Sequence, residues 1–189
     1  MANNYMLSSS SIDIGGADQN AILAAMIMIE KAHELYGTGD PDDKSVDDVD
    51  AFIKSLEPPG DKPLLFDNLD TKKRAQRVMK VVKSWKLEWE YLGFDWQLDA
   101  KDIWVKADES IDVDSAVRCL QLLATVVPEM QSAAPWYMTW ACTCSKMRVD
   151  EFDGGAVVFT HRRAKWMNSS SWASRTVEQF KKQMKKGKK

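Results

Sequence analysis

Residues 136–166, WYMTWACTCSKMRVDEFDGGAVVFTHRRAKW, decide the fold class. Trp136, Met138, Trp140, Cys142 and Cys144 alternate with Tyr137, Thr139, Ala141 and Thr143. A period of two sends successive side chains to opposite faces, so the run reads as a half-buried strand. Gly154-Gly155 then introduces Ala156-Val157-Val158-Phe159-Thr160, an apolar run suited to an interior strand. The glycine pair reads as a tight turn or bulge with positive φ, which a residue without Cβ adopts freely. His161-Arg162-Arg163 turns the chain into Lys165-Trp166-Met167, and Asn168 with the following serines opens a helix carrying Trp172, Val177 and Phe180.

Working upstream, Val113, Ala116, Val117, Leu120, Leu123, Ala124 and Val127 recur at helical spacing behind a cap at Asp112 or Asp114, and Pro128 stops the run. Leu87, Trp89 and Tyr91 alternate with acids, and the alternation resumes after Gly93 with Phe94, Trp96 and Leu98, which predicts one strand bent or bulged at the glycine. A turn at Ala100-Lys101 pairs it with residues 103–107 in an antiparallel hairpin. At the N-terminus, Tyr5, Leu7, Ile12 and Ile14 mark a first strand closed by Gly15-Gly16. Residues 17–36 follow as a helix with Ile22, Met26, Ile29 and His33 on one face. Asp70 caps a second long helix, with Ala75, Val78, Met79, Val82 and Trp85 as its apolar stripe.

This order predicts an α+β fold, a mostly antiparallel sheet with helices on one face. With the second long helix and the acidic insert set aside, the first six elements match a ferredoxin-like βαββαβ core, followed by a C-terminal hairpin and helix. A chain of 189 residues, 44% hydrophobic, supports one substantial core. We expect a single domain over residues 1–180, with an acidic surface insertion at about 37–70 that holds one small helix starting at Ser45, and a flexible lysine-rich tail at 181–189.

The net charge of −2 hides an asymmetry. Residues 37–70 hold ten acids against three lysines, residues 72–86 hold seven lysines and arginines, and the last nine residues hold six lysines. The pI of about 5.8 lies below the basic profile of a dedicated nucleic-acid module. Three cysteines form no even disulfide framework and no leader pattern precedes the domain, so a reducing, cytoplasmic setting is expected. The longest apolar run, residues 21–29, is about half of the roughly 20 residues a spanning helix needs, so no membrane partner is expected.

Cys142-Thr143-Cys144 is the most tempting chemistry, since thiolates bind zinc and act as nucleophiles. Its i, i+2 spacing on a strand lacks the second knuckle of a zinc site, and only Cys119, His33 and His161 remain as further ligands, on separate elements. A Cys-His-Asp arrangement would use Cys142 or Cys144 with His161 and Asp150 or Asp153, without any local hydrolase signature. The expected catalytic, metal and cofactor sets are therefore none. The candidate interaction surface comprises the basic helix face with Arg74, Arg77, Lys80 and Lys83, the acidic loop with Asp150, Glu151 and Asp153, and the turn with Arg162, Arg163 and Trp166. Basic residues there can neutralise phosphates and exposed tryptophans can stack on bases, which keeps nucleic acid as an alternative partner. Eight tryptophans, most of them expected in the core, leave room for an aromatic binding or dimerisation face.

The segment WACTCSKMRVDEFDGGAVV at 140–158, with Trp166-Met167-Asn168 and Trp172, resembles an uncharacterised family of small proteins encoded by bacteriophages and prophages. The likeness is strongest over about residues 103–172, and it departs at Asp153, where the family pattern has glycine, and at Met147, where it has proline. The resemblance implies an accessory protein in the bacterial host cytoplasm that binds a host or phage protein without catalysis, with a host defence factor as one target class. It carries over no catalytic residue.

Overall fold

The computed structural model describes residues 4–37, 49–56, 69–85, 92–107, 110–144 and 153–186. Its strands are β1 (Asn4–Leu7), β2 (Ser9–Asp13), β3 (Asp95–Leu98), β4 (Asp102–Lys106), β5 (Trp136–Cys144), β6 (Asp153–Phe159) and β7 (Ala164–Asn168). Its helices are α1 (Gln19–Gly37), α2 (Val49–Ser55), α3 (Leu69–Ser84), α4 (Val113–Val126) and α5 (Ser169–Lys186). The α+β class and the antiparallel pairing hold throughout the described residues.

The first strand departs from the expected single run. It divides at Ser8, so that β1 pairs with β5 in a sheet of order β1-β5-β6-β7, while β2 pairs with β4 in a sheet of order β2-β4-β3. Side-chain alternation carries across the break: Met6, Ser10 and Ile12 are the more enclosed positions, and Leu7, Ser9 and Ser11 are exposed. The Ser8 hydroxyl donates to the Thr139 carbonyl at 2.8 Å, giving the break a polar partner in β5.

The inner faces of both sheets form the core. Ile12, Ile103, Val105, Met138, Val157 and Phe159 are all buried. α1 and α4 supply much of the other side through Ile22, Ile29, Ala116, Leu120 and Leu123, the buried periods that the sequence predicts. Trp96 and Trp136 are buried with their indole N–H groups satisfied, Trp96 donating to Glu30 and Trp136 donating to the Asp13 carbonyl at 2.8 Å. Asp112 caps α4, accepting from the Ser115 N–H at 3.1 Å. The expectation that most tryptophans are core fails for three, because Trp104, Trp166 and Trp172 are exposed.

Three further expectations change. Within the acidic insertion, α2 buries Phe52 completely and packs on α3, so this helix belongs to the core as well as to the surface. Gly154 and Gly155 lie inside β6, opposite Ala141 and Trp140, and neither has a positive φ. They are small because a Cβ on Gly155 would run into the Trp140 ring and the Met167 carbonyl, and one on Gly154 into the Trp140 carbonyl. Finally, α5 continues to Lys186, so two-thirds of the expected tail is helical. The strand proposed for residues 87–91 and the helix start at Ser45 lie outside the described residues.

Candidate functional site

The β7–α5 junction organises the surfaces of interest. Ser169 begins α5 directly after Asn168 ends β7, leaving no loop between them. Asp153, at the start of β6, holds this corner. Its carboxylate accepts from the Ser169 hydroxyl, from the Gly154 N–H at 2.7 Å and from the Asn168 amide at 2.6 Å. These donors, the Ser169 hydroxyl foremost, hold the Asp153 carboxyl well below the usual carboxylate range. Asp153 is thus a local anchor for α5.

By strand register, Asp153, Gly155, Trp166 and Asn168 share the inner side of the sheet with Trp140. The Trp140 and Trp166 rings meet edge-on with centroids 5.8 Å apart. Together with Met6, Ile111 and Val113 they wall an open pocket of about 720 Å³ beside the start of α4. Asp112 and Asp114 reach its rim, yet Asp112 serves as the α4 cap and Asp114 pairs with Arg118 at 2.6 Å. What remains is an apolar, aromatic-walled hollow suited to an apolar side chain.

α5 is built against the usual rule for a surface helix. Ser170, Ser171, Ser174 and Arg175 border an open hollow with Trp166 and Asn168, and all four are exposed. At 3.6 residues per turn, Trp172, Val177 and Phe180 span about 140° of the remaining circumference, with Phe180 opposite the serines and Val177 at the edge beside Ser170. They are 56%, 49% and 59% exposed. A second apolar surface lies on the outer face of the β1-β5-β6-β7 sheet, where Leu7, Tyr137, Val158 and Met167 are exposed around the small residues Ala141, Gly154 and Ala156.

The structure separates the predicted surface residues. Arg74 is half-buried on α3, while Arg77, Lys80 and Lys83 are exposed there. The Lys83 ammonium sits 4.7 Å from the centre of the Tyr36 ring. Arg77 shares a cavity of about 200 Å³ with Arg118, Gln121, Trp85 and His161, which brings the basic helix to the base of the β6–β7 turn. Arg162 and Arg163 are exposed in that turn, their backbone N–H groups directed to the Thr160 hydroxyl. Trp166 faces the aromatic pocket on the inner side, away from Lys165 and Met167. Asp150 and Glu151 lie outside the described residues.

The thiol chemistry meets a geometric obstacle. Cys142 pairs with Asp153 at one end of β6, while His161 follows the other end, about 20 Å away at strand rise. Burial, with the Asp153 carboxylate behind it, pushes the Cys142 thiol above its ordinary range. Cys119 is pushed up by complete burial in α4, and burial lowers the imidazole of His33 in the core. Among the described residues, no three His, Cys, Asp or Glu side chains converge as a metal site, and no helix is long and apolar enough to cross a membrane.

The residues missed as surface elements are those of the outward stripe and the outer sheet face. Their signal was present, since Trp172, Val177 and Phe180 share one side of a helix and Tyr137 alternates away from Trp136. No family model matches the chain, and neither a curated protein nor a solved structure matches it.

Proposed function

We propose that this chain is a non-enzymatic protein-interaction module, an accessory protein of a bacteriophage or related mobile element that acts on a host protein in the bacterial cytoplasm. The observation that supports it is the apolar stripe of α5, held away from its own domain with Trp172 and Phe180 more than half exposed. Contiguous apolar surface kept in water is the ordinary mark of a binding site, and tryptophan is enriched among the residues that dominate binding energy. The path β1/β2-α1-β3-β4-α4-β5 is read here as a ferredoxin-like core, extended by β6 and β7 to carry α5. A host defence factor is the target class proposed from the family likeness.

Affinity capture from a bacterial lysate, with nuclease treatment, tests the reading. The wild-type chain is expected to retain a defined protein that the double variant Trp172→Asp/Phe180→Asp does not. An identical set captured by both chains, or a set lost entirely to nuclease, contradicts it.

One observation favours a second reading as a nucleic-acid binder: Arg77, Arg118 and His161 share one cavity beside the exposed Arg162-Arg163 turn. Two of the cations on these helices already have partners, Lys72 with Asp50 at 2.7 Å and Arg118 with Asp114. Binding to labelled DNA or RNA that falls steeply between 50 and 200 mM salt supports this reading, and absent binding removes it.

A further inference from the structure

The outward stripe of α5 and the outer face of the β1-β5-β6-β7 sheet, which nothing among the described residues covers, are two apolar surfaces on one chain. A helix that turns its apolar side from its own domain loses the burial that stabilises most protein helices, unless a second surface covers it. The outer sheet face offers a second apolar surface. Ala141, Gly154 and Ala156 form a shallow floor, Leu7, Tyr137, Val158 and Met167 stand around it, and Thr139 and Lys165 are the polar members of the same face. At 1.5 Å per residue, the 18 residues of α5 extend about 27 Å, enough to cross four strands spaced about 4.8 Å apart.

The helix cannot reach this face on its own chain. It starts directly after β7 with no connecting residue, and Asp153 ties its first turn to the inner side of the sheet through Ser169. The outer face lies on the far side. In a second copy both surfaces are available at once, and a twofold arrangement forms the same contact twice. The seven exposed side chains of the two surfaces are 43–66% exposed. With full areas of about 150–250 Å² for large side chains, they leave at most roughly 700 Å² per chain to be covered, in the lower half of the about 600–1,000 Å² that each partner contributes to a stable interface.

We propose that two copies of this chain form a reciprocal dimer in which α5 of each lies with Trp172, Val177 and Phe180 on the outer β1-β5-β6-β7 face of the other. This inference rests on reading α5 as a binding element and names the occupant of its stripe. A host factor that binds the same stripe competes with the second copy for it.

Light-scattering mass measurement on the full chain at tens of micromolar tests it, with circular dichroism to check that each variant is folded. The wild type is expected at the mass of two 21.4 kDa chains. Trp172→Asp/Phe180→Asp, which damages the helix, and Tyr137→Asp/Val158→Asp, which damages the sheet face, are each expected to weaken the dimer on the order of 100-fold. An equimolar mixture of the two variants retains one intact helix-to-sheet contact and is expected to recover mixed dimers. A monomeric wild type overturns the proposal, as does a dimer indifferent to Tyr137→Asp/Val158→Asp, which would mean helix-to-helix pairing. So does a monomer whose stripe binds anionic phospholipid vesicles instead. The two readings fail separately: a monomer that still captures a host protein through α5 overturns only the dimer, and a dimer that captures nothing overturns only the host-directed function.

Discussion

α4 and α5 are both amphipathic, and they solve the same problem in opposite ways. α4 buries Val113, Ala116, Val117, Leu120 and Leu123 between the sheets and the other helices, while α5, tied to the sheet through Ser169, holds Trp172, Val177 and Phe180 in water. Amphipathicity states that a helix has an apolar side. It does not state which body that side belongs to. In α4 the answer is the chain's own core, and in α5 the apolar side stays exposed, for which we propose a surface outside the chain.

The sharpest way to break this comparison is to cut the same kind of group from each stripe. Leu123→Ala, at a side chain with no exposure, is expected to cost about 2–5 kcal/mol of unfolding free energy in urea. Val177→Ala is expected to change the stability of the dilute monomer by no more than about 0.5 kcal/mol. Equal losses would end the distinction. The inner wall beside α5 is tested by Gly155→Val, which forces a side chain into the Trp140 ring and the Met167 carbonyl. A loss of about 1–3 kcal/mol is expected, and part of it should return when Trp140→Leu is added, as a double-mutant cycle would measure. Independent, additive effects would mean that the ring does not set the glycine requirement.

Smaller effects separate the two helix starts. Asp112→Ala removes the side-chain cap of α4 and is expected to cost about 1 kcal/mol of global stability, read by chemical denaturation. Asp153 instead anchors α5 locally. Its carboxyl is depressed in the folded chain, so its stabilising contribution is complete above the unfolded value, declines below about pH 4 and is lost as pH falls through the lower folded value. Hydrogen exchange should therefore show the first turn of α5 less protected in Asp153→Asn than in wild type at neutral pH, with the difference shrinking below about pH 4. A difference independent of pH would argue against the carboxylate as the anchor.

The contrast also marks what a sequence can disclose. α4, the β3–β4 hairpin and the β5 alternation were legible because each rests on local period and local caps, with Asp112 and Pro128 bounding one helix. The division of the first strand at Ser8 was not. Its serines give no sign that β1 and β2 pair with strands some 90 to 140 residues away. Gly154-Gly155 looked like a turn because positive φ is the commonest local need for glycine, whereas the actual cause is Trp140, fifteen residues back in sequence and directly across the ladder. The candidate surface was read from charge, so it found Arg77, Arg162 and Arg163. It passed over an apolar stripe whose direction only tertiary structure decides. Asp153 was chosen as a surface acid, and its partners Asn168 and Ser169, on another element, make it an anchor.

The central claim is that the apolar side of α5 contributes nothing to the interior of its own chain. Guanidinium unfolding of wild type and Trp172→Asp/Phe180→Asp, both diluted until monomeric, measures this directly. The account predicts unfolding free energies that agree within about 1 kcal/mol. A loss of about 3–5 kcal/mol, the magnitude expected when a buried aromatic side chain is removed, would contradict it.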